Sequence, residues 1–303
     1  MDGALDISLD AVLHGNVTAV LNVASGSVGP KASAEMEAIF DAAGMAQARV
    51  VSVDPAGLDN ALDEAVADCD LLVVLGGDGT IRTAAEKCGQ GRSYLMPLPG
   101  GTMNMLPKAL YGARDWKAAL ADTLAAPEVH CVSGGRAQGH AFFVAALAGA
   151  PTLWADAREA LRSWKIGEAA RRSITALRRS LSEPLTYAFD EGPQGSAEAV
   201  AVMCPLVSRA MDEDERSLEA AAIDAKTAGD ALRLGFNSLF DDWRNDPAVS
   251  RAKVRRVNVT GHGRVPLILD GERVRLGRSV DIQFTALAFK ALIPAISDQP
   301  PKM

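Results

Sequence analysis

Three glycine-bearing segments in the first 110 residues combine residue types that can hold a phosphate group. The fullest is Gly76-Gly77-Asp78-Gly79-Thr80, directly after the apolar run Leu71–Leu75. Glycine has no Cβ, so its backbone can approach an anion closely and take positive φ. The free N–H groups where a helix opens, with the helix macrodipole, favour negative charge. A carboxylate beside phosphates would repel them. Asp78 makes sense there if Mg2+ or its water shell lies between. Thr80 is expected to cap the helix and donate to phosphate. Pro99-Gly100-Gly101-Thr102-Met103-Asn104 and Asn22-Val23-Ala24-Ser25-Gly26 supply two further loops of this kind. Near the other end, Asp270-Gly271-Glu272 offers two carboxylates that could take a proton. Leu267 to Val274 also reads simply as a hairpin whose turn is Asp-Gly.

The elements around these loops follow from pattern. Val17–Val23, Ala48–Val53, Leu71–Leu75 and Tyr94–Leu98 are short apolar runs suited to buried parallel strands. Helical stretches at Ala32–Ala43 and Leu58–Ala67, and others opening near Thr80 and after Thr102, alternate with them. This alternation predicts a parallel sheet flanked by helices, with ligands at the carboxyl ends of the strands. All three glycine loops fall at those ends. After Pro127 the pattern changes. Glu128–Arg136 and His140–Leu147 predict a hairpin turned at Gln138-Gly139, and Leu153–Leu181 is a helical section. From Leu185 short strands dominate, among them Val254–Thr260, Val265–Leu269, Arg273–Leu276 and Val280–Phe284. The expected fold is α/β plus all-β: a Rossmann-like domain over 1–126, an antiparallel β-rich domain with a helical insertion over 127–290, and a tail over 291–303.

Composition narrows the function. With 303 residues and 48% hydrophobic content the chain can bury two cores. A formal net charge of −7 argues against a nucleic-acid partner. Cys69, Cys88, Cys131 and Cys204 have no C-x-x-C spacing and read as free thiols in a reducing compartment. The acidic N-terminus lacks the basic region of a signal peptide. The apolar run Ala141–Ala155 is too short to span a bilayer. A cytoplasmic protein that meets a membrane only at its surface is expected.

The four motifs together resemble the catalytic domain shared by diacylglycerol, sphingosine and ceramide kinases and their soluble bacterial relatives. That family has N-P-x-S-G, G-G-D-G-T and P-x-G-T-x-N-D loops and a late D-G-E turn. The resemblance implies a two-domain fold: an α/β nucleotide-binding domain and a β-sandwich-like lipid domain, with the active site in the cleft. It implies ATP and Mg2+ as cofactors and a hydroxyl-bearing membrane lipid as acceptor. It draws the nucleotide site from Asn22, Ser25 and Gly26, from Gly76, Gly77, Asp78, Gly79 and Thr80, and from Gly100, Gly101, Thr102 and Asn104. Asp78 would carry the metal, directly or through water, and Asp270 or Glu272 would take the acceptor's proton.

The sequence departs from the family in places. The first glycine loop continues Ile81-Arg82-Thr83 where many relatives have x-N-E, so a carboxylate is lost and a cation appears. Arg82 reads either as a phosphate contact or as a solvated residue. Met105 replaces the Asp after Asn104, and Asp54 stands where a Thr often abuts the nucleotide. The structural Mg2+ ligands of some bacterial members do not align near Ser208–Leu218. Diacylglycerol and ceramide or a sphingoid base therefore remain equal acceptors. The rival readings are a nucleotide-binding regulatory protein on a degenerate kinase fold and a small-molecule kinase of the NAD kinase type. In 158–182, Ala170, Ile174, Leu177 and Leu181 share a helical face beside Arg171, Arg172, Arg178 and Arg179. That stretch reads either as a helix lying on an anionic bilayer or as a surface helix packed on the β domain. Oligomeric state has no signature in the sequence.

Overall fold

Leu71–Gly76 is buried along its whole length, as a strand covered on both faces must be. It is β3 of a parallel set in the computed structural model, which describes residues 9–149, 184–190, 192–212, 214–224, 244 and 246–295. The basic stretch 158–182 and the whole of the expected helical section Leu153–Leu181 lie outside the described residues. The chain divides into two compact units, Met1–Ser133 with Leu287–Met303, and Gly134–Ala286.

In the first unit the order is α1 Leu9–Leu13, β1 Val17–Asn22, α2 Ala32–Ala42, β2 Arg49–Val53, α3 Leu58–Asp68, β3, α4 Asp78–Gln90, β4 Tyr94–Pro99, α5 Met105–Tyr111 and α6 Trp116–Ala125. The strands lie in the order β2-β1-β3-β4, all parallel. The chain moves outward from β1 to β2, then crosses to β3 on the other side of β1. The carboxyl ends of β1 and β3 thus flank a topological switch point, where sheets of this kind open a crevice. Helix spacing explains the covering layers. Ala32, Met36 and Phe40 of α2 are four residues apart and all buried. Ile81, Ala84, Ala85 and Cys88 do the same for α4. Burial pushes the Cys88 and Cys69 thiols up, so both are held neutral.

The expected tail is partly strand. The last strand runs from Ser279 to Pro294, and Ala291 pairs in parallel with Leu95 of β4. The Tyr111 hydroxyl donates to the Leu292 carbonyl at 2.9 Å, and burial raises that phenol's pKa. The boundary of the first unit therefore falls at Ser133 rather than 126, and Leu287–Pro294 returns to it.

The second unit is antiparallel. It contains part of β5 Pro127–Ala137, then β6 His140–Phe142, β7 Ala145–Gly149, β8 Leu185–Phe189, β9 Gln194–Ala197, β10 Ala199–Met203, β11 Leu218–Ile223, β12 Val249–Val254, β13 Arg256–Thr260, β14 Pro266–Leu269, β15 Glu272–Arg275 and the start of β16 Ser279–Pro294. Six strands form one sheet in the order β12-β11-β10-β7-β14-β15. The start of β16 pairs with β13, β13 with β8 and β8 with β9 in another. Alternate residues from the two sets share one core, with Phe142, Tyr187, Val202, Leu218, Val257, Leu269 and Ile282 all buried. The unit is a two-layer β arrangement.

The predicted hairpin at Gln138-Gly139 is present, with φ of 47° and 91°. Its second arm is shorter than expected. The run His140–Leu147 breaks after Phe142, because β6 pairs with β5 while β7 pairs with β10 and β14 in the six-stranded sheet. The expected strand Val254–Thr260 divides in the same way between β12 and β13. Near the region without the relatives' metal ligands, the buried Glu219 carboxylate accepts from Ser208 Oγ and from Arg244 Nε at 2.9 Å. That charge is neutralised by a guanidinium.

Candidate phosphate-binding site

The loops after β1, β3 and β4 interlock. Gly100 N donates to the Gly76 carbonyl at 2.9 Å, so the two glycine pairs run backbone against backbone. A Cβ on Gly101 would lie 2.7 Å from Gly77 Cα, and one on Gly100 would lie 2.8 Å from Gly76 N. Any side chain at either position would force the loops apart, which is the local reason for glycine there. The β1 loop joins through hydroxyls. Ser25 Oγ accepts from Gly77 N at 3.1 Å, and Ser27 donates to the Gly101 carbonyl from Oγ and to the Gly100 carbonyl from N, both at 3.0 Å.

Asn22 ends β1 with its side chain buried. Its Nδ2 donates to Thr80 Oγ1 at 2.9 Å, and its Oδ1 accepts from Ala24 N at 3.1 Å. This places Thr80 differently from expectation. Helix α4 begins at Asp78 with Gly77 as its N-cap, so Thr80 sits in the first turn and does not cap the helix. No side chain caps α4. Its opening N–H groups are the donors an anion would use.

Asp78 accepts from Asn104 N at 3.0 Å and from Met105 N at 2.6 Å. The carboxylate of one glycine loop thus holds the start of α5, which follows the other. Asn104 sits at φ 53°, ψ 48°, a left-handed conformation that asparagine tolerates. Its side chain closes the turn, with Oδ1 accepting from Gly101 N at 2.7 Å and Nδ2 donating to the Gly101 carbonyl at 2.9 Å. Each Asp78 oxygen keeps a lone pair after these bonds. The residue therefore fits a water of a magnesium ion carried in on phosphates. Among the described residues no group of three or more His, Cys, Asp or Glu could bind a metal by itself.

Of the residues singled out in the sequence, Asn22, Ser25, Gly76, Gly77, Asp78, Thr80, Gly100, Gly101 and Asn104 are joined by these contacts. Gly79 lies in the first turn of α4, and Thr102 is exposed on the β4 loop. Nothing lies within 4 Å of a Cβ built on Gly26, so packing does not require a glycine there. Asp54 accepts from Gly57 N at 2.9 Å and serves the turn into α3. Sequence reasoning missed Ser27. The Ser25-Gly26-Ser27 triplet is the signal that could have found it, since both hydroxyls clasp the glycine loops.

Asp270 and Glu272 belong to the second unit, at the β14–β15 turn. Leu269 pairs with Glu272, and Asp270 and Gly271 take φ of 47° and 84°, so the loop is the two-residue type that favours Asp-Gly. The Asp270 carboxylate is buried. It accepts from the amides of Phe143 at 2.7 Å, Val144 at 2.9 Å and Ala145 at 2.9 Å. Those three amides span the break between β6 and β7. Asp270 therefore satisfies the backbone where the chain changes sheets. Glu272 opens β15 and is exposed.

The α/β unit thus carries interlocked glycine loops and uncapped helix amides at its switch point, an arrangement suited to an anion. Residues 16–135 match the model of the diacylglycerol kinase catalytic domain. Solved structures share the fold. One, a diacylglycerol kinase from Bacillus anthracis str. Sterne, has a TM-score of 0.67 at 15% identity over 95% of this chain and 98% of that one. Two others from the same organism give TM-scores of 0.68 and 0.70 at 19% and 18% identity, covering 91% and 95% of this chain and 96% and 98% of theirs. At these identities the likeness is one of fold. Among curated proteins none matches the sequence. No helix among the described residues is long and apolar enough to cross a membrane.

Proposed function

We propose that the protein is an ATP-dependent kinase that transfers the γ-phosphoryl group to a hydroxyl of a membrane lipid, either diacylglycerol or ceramide or a sphingoid base. The observation that carries this reading is the three-loop cradle. Uncapped helix amides, two glycine pairs in backbone contact and a carboxylate with spare lone pairs converge at the switch point of the sheet. Magnesium bound with the nucleotide would neutralise phosphate charge, and Asp78 would hold its water. The loop amides would bind and orient the phosphates, which is most of what phosphoryl transfer asks of a protein.

The bond from the γ-phosphorus to the ADP oxygen breaks as the bond to the lipid oxygen forms. The hydroxyl proton must pass to a base. We assign that role to Glu272 rather than Asp270. The Asp270 carboxylate already accepts three amides and is buried, whereas Glu272 is exposed at the hairpin tip. The acceptor would be met at a bilayer surface, with the arginines of 158–182 supplying charge toward anionic lipid.

The test is incubation with radiolabelled ATP, Mg2+ and vesicles containing diacylglycerol, ceramide or sphingosine in turn. Label on at least one lipid is expected. ATP binding with no label on any lipid would replace this reading with that of a nucleotide-binding regulatory protein, the alternative that the uncharged Thr83 and Met105 favour.

A further inference from the structure

Arg82 is the residue of α4 that the phosphate site as described leaves unexplained. It lies four residues after Asp78, so it shares that residue's face of the helix about one turn (roughly 5.4 Å) further on. The Asp78 face is the one turned toward Asn104 and Met105 at the start of α5. The arginine is half-buried, and its Nε is buried with no hydrogen-bond acceptor. It is the one such side-chain nitrogen or oxygen among the described residues. Candidate carboxylates stand four residues to either side, Asp78 and Glu86, but the ion pairs among the described residues include neither with Arg82.

An orphaned buried donor in a folded protein calls for an explanation, and a missing anionic ligand is one that fits a guanidinium. Arginine keeps its charge at any working pH and presents a planar fork matched to phosphate oxygens. The surrounding sequence has lost negative charge. Thr83 and Met105 occupy positions where the resemblance to lipid kinases leads one to expect carboxylates, and among the described residues no cluster for a protein-held metal exists. A site with fewer carboxylates to recruit metal ions gains more from a fixed cation of its own.

We infer that Arg82 is a phosphate ligand of the nucleotide site, its guanidinium binding a β-phosphate oxygen of the bound nucleoside triphosphate. This rests on the reading of the three loops as a nucleotide site. The guanidinium then gains its acceptor when the nucleotide binds, the side chain turning to bring the unpaired Nε out of cover. Arg82 is also a specificity element, since its contact exists for ATP and ADP and not for AMP.

The experiment is calorimetric titration of the wild type, Arg82→Met and Arg82→Lys with ATP, ADP and AMP. Each is run once with Mg2+ and once with EDTA, so that the protein's own cation is read apart from the metal. A lost charge-assisted contact corresponds to roughly ten- to hundredfold in affinity. Arg82→Met should weaken ATP and ADP by about that factor, more in EDTA than in Mg2+, and leave AMP unchanged. Arg82→Lys should recover some of the loss. Thermal melting without nucleotide separates binding from folding: Arg82→Met should melt at the wild-type temperature or above, because it removes an unpaired donor. Equal ATP affinity in wild type and Arg82→Met would overturn the assignment while leaving the nucleotide site intact. So would a loss confined to the lipid acceptor's KM, or a lowered melting temperature with unchanged binding. A wild type that binds no ATP in either condition would overturn the nucleotide site and Arg82's role with it.

Discussion

Asp78 and Asp270 stand in the same local sequence, each followed by a glycine, and each commits its carboxylate to backbone amides. The similarity ends with burial and geometry. Asp270 is 3% exposed, adopts a left-handed backbone and accepts three amides at a sheet-to-sheet break. Asp78 is half-buried, opens a helix and accepts two amides from the neighbouring loop. The difference teaches where a carboxylate can still meet a ligand. A side chain buried at a strand break spends most of its lone pairs there and is closed off from solvent, while one on the rim of a loop can tie the loop and face a hydrated ion as well. An Asp-Gly pair in the sequence therefore marks a tight turn first; chemistry depends on how much of the carboxylate the fold consumes.

The largest expected effect comes from breaking the buried member. Asp270→Ala strands three amides, two of them buried and one half-buried, each at a net cost of about 1–2 kcal/mol, so stability should fall by roughly 4 kcal/mol in urea unfolding. A loss under about 1 kcal/mol would mean that the amides find other partners and that Asp270 is free for other work. Asp78→Ala should cost less, about 1–2 kcal/mol, because its two amides lie nearer solvent. Its lipid phosphorylation should nevertheless vanish, since the loops lose their register and the ion its contact. Retained activity with a large stability loss would reverse the comparison between the two aspartates.

Glu272→Gln sharpens the comparison from the other side. The residue is exposed at the turn beside Asp270, so its stability should stay within about 0.5 kcal/mol of wild type. Phosphate transfer should fall by about 10²- to 10⁴-fold, the usual contribution of a positioned base. Unchanged transfer would return the proton-accepting role to another group. The smallest effect concerns the thiols. Cys131 is exposed, while Cys69, Cys88 and Cys204 are buried with their thiols pushed up by burial. A thiol reagent at neutral pH should label one cysteine per native chain and four after unfolding, with no change in melting temperature.

Much of the first unit was legible in the sequence because its strands are buried on both faces. Leu71–Leu75 and Tyr94–Leu98 carry unbroken apolar runs, and each ends in the glycines that its loop requires. What lay beyond reach there was connection at a distance. Nothing adjacent to Met105 reveals that its amide is held by a carboxylate 27 residues earlier. Likewise, Thr80 reads as a cap until the Asn22 amide is seen on its hydroxyl. The second unit was harder. Ala141–Leu147 is a continuous apolar run, so the sheet change after Phe142 leaves no mark in hydropathy. The last strand continues from Phe284 to Pro294 through small and mixed residues without strict alternation, so its end reads as a tail. The Asp-Gly turn itself was plain, but the use of its carboxylate was not, since that depends on which backbone lies across from it.

The central claim is that the three interlocked loops hold ATP while its γ-phosphoryl group passes to a lipid hydroxyl. Gly101→Ala tests it most directly, because the added Cβ would fall 2.7 Å from Gly77 Cα and push the β3 and β4 loops apart without removing any charge. Transfer of radiolabel from γ-labelled ATP to lipid vesicles should be clear for the wild type. For Gly101→Ala it should fall at least tenfold, a change of about 1.4 kcal/mol in the barrier, in a chain that stays folded but melts lower because backbone must shift to admit the Cβ. Equal transfer by both proteins, or none by the wild type with any hydroxyl lipid, would contradict the account.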